Sequence, residues 1–162
     1  MPNPMVISNT SPIFYLHRLG QLELLRKLYQ SIVIPEGVIE ELKVGKMQGE
    51  DVPDISKYKW IEIQAVQVPE VVSLIMDLDM GEAQVLALAI ENPGSLVILD
   101  DRLAREIANS KNMRVTGTAG VILKAKQEGY IKSVRPILES LKQLDFWISD
   151  VLMDNIIRMA GE

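Results

Sequence analysis

The stretch GEAQVLALAIENPGSLVILDDRLAR, residues 81–105, decides the fold. It reads as an almost wholly apolar helix, a tight turn, a buried strand and then two adjacent aspartates. Glu82 stands in the first helical turn, where a negative charge suits the positive end of the helix dipole. Asp100 and Asp101 stand where the run Val97, Ile98, Leu99 ends, and ligands of open parallel sheets gather at that end of a strand. Taken singly, Glu82 reads equally well as an ordinary first-turn acid, and one aspartate as the cap of the helix beginning near Leu103. A functional reading therefore needs further acids that converge on the same place.

Composition sets the frame for those acids. A chain of 162 residues lies in the usual single-domain range, and a chain of that size buries about 70% of its unfolded surface. Apolar residues make up 48% with only two Phe and two Trp, so the core is built from Val, Ile, Leu, Ala and Met, as in an α/β protein with buried strands. Cysteine is absent, which removes disulfides, thiolate metal sites and thiol nucleophiles, and fits a reducing cytosol. No apolar run approaches the ~20 residues that span a bilayer, and the first four residues lack a signal-peptide pattern. The expectation is a cytoplasmic protein with no membrane partner.

The net charge of −5 argues against a nonspecific polyanion binder, but the charge is unevenly spread. Residues 36–82 hold eleven acids and four Lys or Arg, whereas residues 102–135 hold eight Lys or Arg and only Glu106 and Glu128 as acids. A basic flank thus follows the acidic strand end. It reads either as a nucleic-acid surface or as solvated helix faces, because Lys124 and Lys126 lie on different sides of their helix.

Along the chain, residues 5–8 make a short apolar strand, and Asn9-Thr10-Ser11-Pro12 turn it into a helix with Pro12 behind a Ser cap. Gly20 splits the next stretch into two short helices; the lone His17, in the first, receives no role. SIVIP is a second strand, and EGVIEELKVG a helix that Gly45 should end. At about 100° per residue, Val38, Ile39 and Leu42 centre an apolar stripe, which leaves Glu41 at its edge and Glu40 pointing nearly opposite. Glu41 can reach a half-buried site, or pair with Lys43 or Lys46 on the surface. Residues 45–59 read as a long connection with one irregular turn, WIEIQAV as a strand, and residues 69–78 as a short helix. After Asp101 come a helix to about Asn109, the strand MRVTG, a helix led by Thr118 to Gln127, and helices over 133–144 and 149–160. Strands alternating with helices predict one domain over residues 1–162, a three-layer α/β/α sandwich with a mainly parallel sheet of four or five strands, closed by C-terminal helices at about 133–160.

The chain has no Gly-rich dinucleotide fingerprint, no GxSxG elbow and no HExxH, and GTAG at 117–120 lacks the Lys and spacing of a phosphate loop. A phospho-acceptor receiver domain also gathers acids at strand ends, but no lysine follows the last strand, and Lys111 precedes it. What remains is acids at three separate strand-to-helix regions.

These segments resemble the PIN-domain family. VISNTSPIFYL, IPEGVIEEL, GEAQVLALA, ILDDRLAR and VTGTAGVIL, in this order and spacing, look most like a prokaryotic PIN-like subfamily related to toxin–antitoxin ribonucleases. The match runs over nearly the whole chain. It implies a metal-dependent nuclease fold acting on RNA, often the toxin partnered by an antitoxin protein and often a homodimer. Carried over position by position, the family's acid after the first strand falls on Asn9, its helix glutamate on Glu41, its acid opening the central helix on Glu82 and its strand-end aspartate on Asp101. Glu41, Glu82, Asp101 and the adjacent Asp100 are then the metal ligands, for Mg²⁺ or Mn²⁺, since these hard cations take oxygen donors. Arg102, Arg105 and Thr118 are the candidate nucleic-acid contacts. The departure is Asn9, where most PIN nucleases have aspartate: an amide oxygen can ligate a cation but brings no charge and no base. A catalytically weak RNA- or protein-binding module is therefore the competing expectation. Apolar faces of the terminal helices, Ile148, Val151, Leu152, Ile156 and Met159, are the candidate homodimer surface, or else pack on the protein's own sheet.

Overall fold

Five strands form one sheet in which every pairing is parallel: β1 (Val6–Ser8), β2 (Ile32–Pro35), β3 (Ile61–Gln64), β4 (Leu96–Ile98) and β5 (Arg114–Thr116), in the order β3-β2-β1-β4-β5. The computed structural model describes residues 4–69 and 78–162. Among these residues eight α-helices flank the sheet: α1 (Thr10–Arg18), α2 (Glu23–Tyr29), α3 (Glu36–Met47), α4 (Met80–Glu91), α5 (Arg102–Ser110), α6 (Thr118–Gln127), α7 (Arg135–Gln143) and α8 (Asp150–Met159). The expected α/β/α sandwich is therefore the fold, with five strands. The short helix expected over 69–78 falls almost wholly on residues 70–77, outside the described residues.

The burial follows from the sequence pattern. β1, β2 and β4, covered on both faces, have every residue buried, and all but Ser8 at the end of β1 are apolar, whereas the edge strands β3 and β5 carry exposed positions. The apolar α4 lies against β1, β2 and β4 and buries Val85, Leu86 and Leu88 completely or nearly so. Each such side chain contributes about 1.5–3 kcal/mol by leaving water. On the other side α6 packs on α1 and α2, α8 packs on α6, and α3 touches α1, β2 and α4.

The connectivity locates the site. From β1 the chain moves outward to β2 and β3, then crosses back to β4 on the other side of β1 and on to β5. The direction of winding thus reverses between β1 and β4, and the segments leaving their carboxyl ends diverge and open a crevice. Asn9 follows β1 and donates its backbone N–H to the Ile98 carbonyl at 3.1 Å; Asp100 and Asp101 follow β4.

Three local expectations are corrected. Helix α3 runs through Gly45 to Met47, because Gly45 is buried in the helix, where a β-carbon would meet the Glu50 carboxylate at 2.7 Å; the reversal falls instead at Gly49, whose φ is +84°. Helix α1 begins at Thr10 with Asn9 in the capping position, so Ser11 and Pro12 lie inside its first turn, and no side chain caps its N–H groups. The apolar face expected on the terminal helices divides: Ile148 and Ile156 are buried in the chain's own core, while Val151, Leu152 and Met159 stay exposed. Among the described residues no helix is long and apolar enough to cross a membrane.

Candidate functional site

The loops leaving β1 and β4, the middle of α3 and the start of α4 meet at the carboxyl edge of the sheet. Each acid arrives there by a local cause. Glu41 stands at the edge of the apolar stripe of α3, half-buried, while Glu40 points to solvent and pairs loosely with Lys43 at 3.5 Å. Glu41 Oε1 accepts the Gly81 N–H at 2.9 Å, and its Oε2 accepts the Thr10 hydroxyl at 2.5 Å. That approach needs glycine, since a β-carbon on residue 81 would fall 2.5 Å from Glu41 Oε1. The surface pairing with Lys43 or Lys46 is therefore not what holds Glu41.

Glu82 follows directly. Asp79 caps α4 by accepting the Glu82 N–H at 3.0 Å, which folds the Asp79 carboxylate back towards Glu82. Burial, then the hydrogen bond and charge of Asp79, then the charge and hydrogen bond of Asp101, push the Glu82 carboxyl up from 4.5 to about 8. Asp101 meanwhile caps α5, accepting the Ala104 N–H at 2.9 Å. The aspartate cap read from the sequence is thus Asp101, and it serves the helix while facing Glu82 across the crevice.

Asp100 is held differently. Its Oδ1 accepts the Thr118 N–H at 2.8 Å; its Oδ2 accepts the Ser11 hydroxyl at 2.7 Å and the Thr118 hydroxyl at 2.6 Å. It ties the turn after β1 to the start of α6. Thr118 is wholly buried with both donors on Asp100, so it has no surface to offer a nucleic acid, and that expectation gives way to a supporting role. Arg105 lies beside this tie, its guanidinium 3.5 Å from the Leu99 carbonyl and close to Gly117, whereas Arg102 is exposed and pairs with Glu106 at 3.1 Å.

Asn9 completes the set. It is 4% exposed, and its Oδ1 is buried without a hydrogen-bond partner among the described residues. Leaving a buried acceptor unsatisfied costs about 1–3 kcal/mol, so the position suits an oxygen that takes up a ligand. No three His, Cys, Asp or Glu side chains among the described residues stand close enough together to hold an ion by themselves. Glu82 faces Asp79 and Asp101, Glu41 and Asp100 are engaged with backbone and hydroxyl donors, and the Asn9 amide oxygen stands unpartnered at the end of β1. A shallow cavity of about 470 Å³ opens beside Glu41, lined also by Glu40, Val44, Met80 and Gln84. A larger groove of about 660 Å³ between α3 and β3 contains none of the crevice acids.

Sequence reasoning passed over Asp79, Thr10 and Ser11. The spacing Asp79-x-x-Glu82 matches a capping pair and could have revealed the first. The two hydroxyls carry no separate signal, because their partners are 31 and 89 residues away.

The raised Glu82 carboxyl has a consequence for stability. Between pH 4.5 and about 8 the unfolded chain loses this proton and the folded chain keeps it, so the folded state binds more protons and stability falls as pH rises through that window. In the absence of metal, the melting temperature is expected to decline by several degrees from pH 5 to pH 8. Glu82→Gln should flatten the decline, as thermal melts across that range would show; an unchanged slope would mean that Glu82 is not the group responsible.

A family model described as a PIN domain matches residues 5–162, which is nearly the whole chain. No curated protein matches the sequence. The parallel five-stranded sheet, the crevice at its carboxyl edge and the span of that match agree, and the chain belongs to the PIN-domain family.

Proposed function

We propose that this protein hydrolyses RNA phosphodiester bonds with the help of Mg²⁺ or Mn²⁺ held at the Asn9–Glu82–Asp101 crevice. Membership carries a nuclease-like fold, and PIN domains generally use divalent metal ions. The observation that supports the reading here is the orphaned Asn9 Oδ1 at the sheet edge where Glu82 and Asp101 face each other. A divalent ion supplies the positive charge that carboxylates in contact lack, and activates water for attack on a phosphodiester. Around it Asn9, Glu82 and Asp101 would be the ligands. Glu41 fixes the start of α4, and so the place of Glu82, through the Gly81 N–H. Asp100 fixes the two turns that flank the crevice through Ser11 and Thr118. Arg105, whose guanidinium lies by the Leu99 carbonyl, would meet substrate phosphate, with Arg102 more exposed on the same helix.

Cleavage of a single-stranded RNA with and without Mn²⁺ tests the reading: metal-dependent cleavage supports it and metal-independent cleavage overturns it. A second reading, RNA binding without efficient cleavage, is favoured by the neutral side chain at Asn9 and would show as binding with no product. In either case affinity should fall steeply with salt, since contacts to phosphates release counterions. Arg105→Glu should weaken RNA binding at least tenfold, and Arg102→Glu less. Affinity that is independent of salt, or unaltered by both reversals, would leave the basic flank a solvated surface. The narrower reading, a cytoplasmic toxin opposed by an antitoxin protein and working as a homodimer, rests on the family resemblance. The exposed Val151, Leu152 and Met159 are the surface a second copy would cover.

A further inference from the structure

The basic flank of residues 102–135 does not gather at one place. Arg102 and Arg105 stand at the carboxyl edge of the sheet, but Arg114 is the first residue of β5 and lies at the opposite edge, level with Leu96 at the start of β4, which in turn is level with Val6 at the start of β1. There a small cavity of about 210 Å³ is lined by Arg114, Lys124, Tyr29, Gln30, Val6 and Leu96, with neighbouring apolar groups. Strands of three residues separate it by about 10 Å, at roughly 3.3 Å per residue, from the level of the acids.

We propose that this cavity binds a single phosphate group, distinct from any phosphate handled at the acid crevice. Two cations from different elements, β5 and α6, line one small space, and among the described residues neither has a carboxylate within 4.0 Å. Charges of like sign placed together repel, and an anion between them removes that cost. Lys124 is held in place by the Tyr29 ring, its ammonium 4.7 Å from the ring centre, so the charge is oriented before any ligand arrives. Tyr29 adds a hydroxyl: burial raises its pKa, with Arg114 pulling the other way, and it remains a protonated donor at neutral pH. Arginine's fork of donors suits phosphate oxygens, and lysine completes the charge. The space is below the ~300–1,000 Å³ usual for whole organic ligands, which favours one phosphate with its ester oxygen over a peptide or a base. The group could come from a free nucleotide or from the backbone of an RNA chain.

The test is calorimetric titration of the full-length, metal-free protein at fixed ionic strength with inorganic phosphate, with adenosine 5′-monophosphate and with a short single-stranded RNA. Phosphate and the nucleotide should each bind wild type with one site. Arg114→Gln or Lys124→Gln should weaken that binding at least fivefold and the double variant should lose it, while Arg114→Lys and Lys124→Arg retain most of it. Circular dichroism of each variant checks that the fold is kept. If RNA affinity falls by the same factor and its salt slope drops by about one to two contacts, the site takes a backbone phosphate. If RNA is unaffected, it takes a free nucleotide. Equal binding of phosphate by wild type and double variant, or no binding by wild type, overturns the proposal. Because no divalent ion is present and the crevice acids are untouched, this result does not depend on whether the protein cleaves RNA.

Discussion

Alanine at Glu82 or at Asp101 is expected to abolish manganese-dependent cleavage, with a loss of at least a hundredfold, and to remove the rise in melting temperature that Mn²⁺ gives wild type. The expectation comes from the donor set. The proposed set is two carboxylates and one neutral amide, so either substitution would leave a single charged ligand, too little for a hard cation that is reluctant to shed water. An ion that binds only the folded state stabilises it in proportion to its affinity, so lost affinity is read directly as lost stabilisation. The two variants should separate without metal. Removing Glu82 takes away a half-buried carboxyl whose ionisation is disfavoured by its surroundings, by Asp79 and by Asp101, and should raise the melting temperature at pH 8. Removing Asp101 also deletes the α5 cap, which costs about 0.5–2 kcal/mol. Melts of both proteins with and without Mn²⁺ at pH 8 decide the matter; an undiminished manganese shift in either variant would place the ion elsewhere.

Asn9→Asp is expected to have an effect of opposite sign with and without metal. In the proposed site it adds a third carboxylate to Glu82 and Asp101, at a position 4% exposed. Two charges ~4 Å apart repel by about 1 kcal/mol in water and about 4 kcal/mol at an effective dielectric of 20. Metal-free protein should therefore be destabilised within that range. With millimolar Mn²⁺ the order should reverse, since a charged oxygen holds the ion more strongly than the amide it replaces, and cleavage should rise at least tenfold. A variant that responds to metal no more than wild type would show that the orphaned oxygen of Asn9 does not face the ion.

Much of this was legible in the residues themselves. The apolar runs at 32–35 and 96–98 and the almost wholly apolar α4 announce strands covered on both faces, and the periodicity of α3 separates Glu41 from Glu40. The division of labour among the acids was not legible. Asp100 and Asp101 are neighbours with the same chemistry, yet one accepts three hydrogen bonds from Ser11 and Thr118 and the other caps a helix and faces Glu82. That difference is set by which way each side chain leaves the strand end, a matter of tertiary geometry. Gly45 misled for a related reason: it is in α3 because Glu50 and Val52 pack against it, and a local stop signal gave way to that contact. The burial of Thr118, a candidate nucleic-acid contact in the sequence, is not legible there either, because nothing near it betrays Asp100, 18 residues earlier, as its partner.

The most direct test of the central claim is side-by-side digestion of one single-stranded RNA by wild type and by the double variant Glu82→Gln, Asp101→Asn, both purified identically and assayed with Mn²⁺ and with chelator. Cleavage by wild type in Mn²⁺ alone, with none by the double variant under either condition, is the result this account predicts. Cleavage by the double variant at the wild-type rate would contradict it, because hydrolysis would then proceed without the two carboxylates that the crevice brings together.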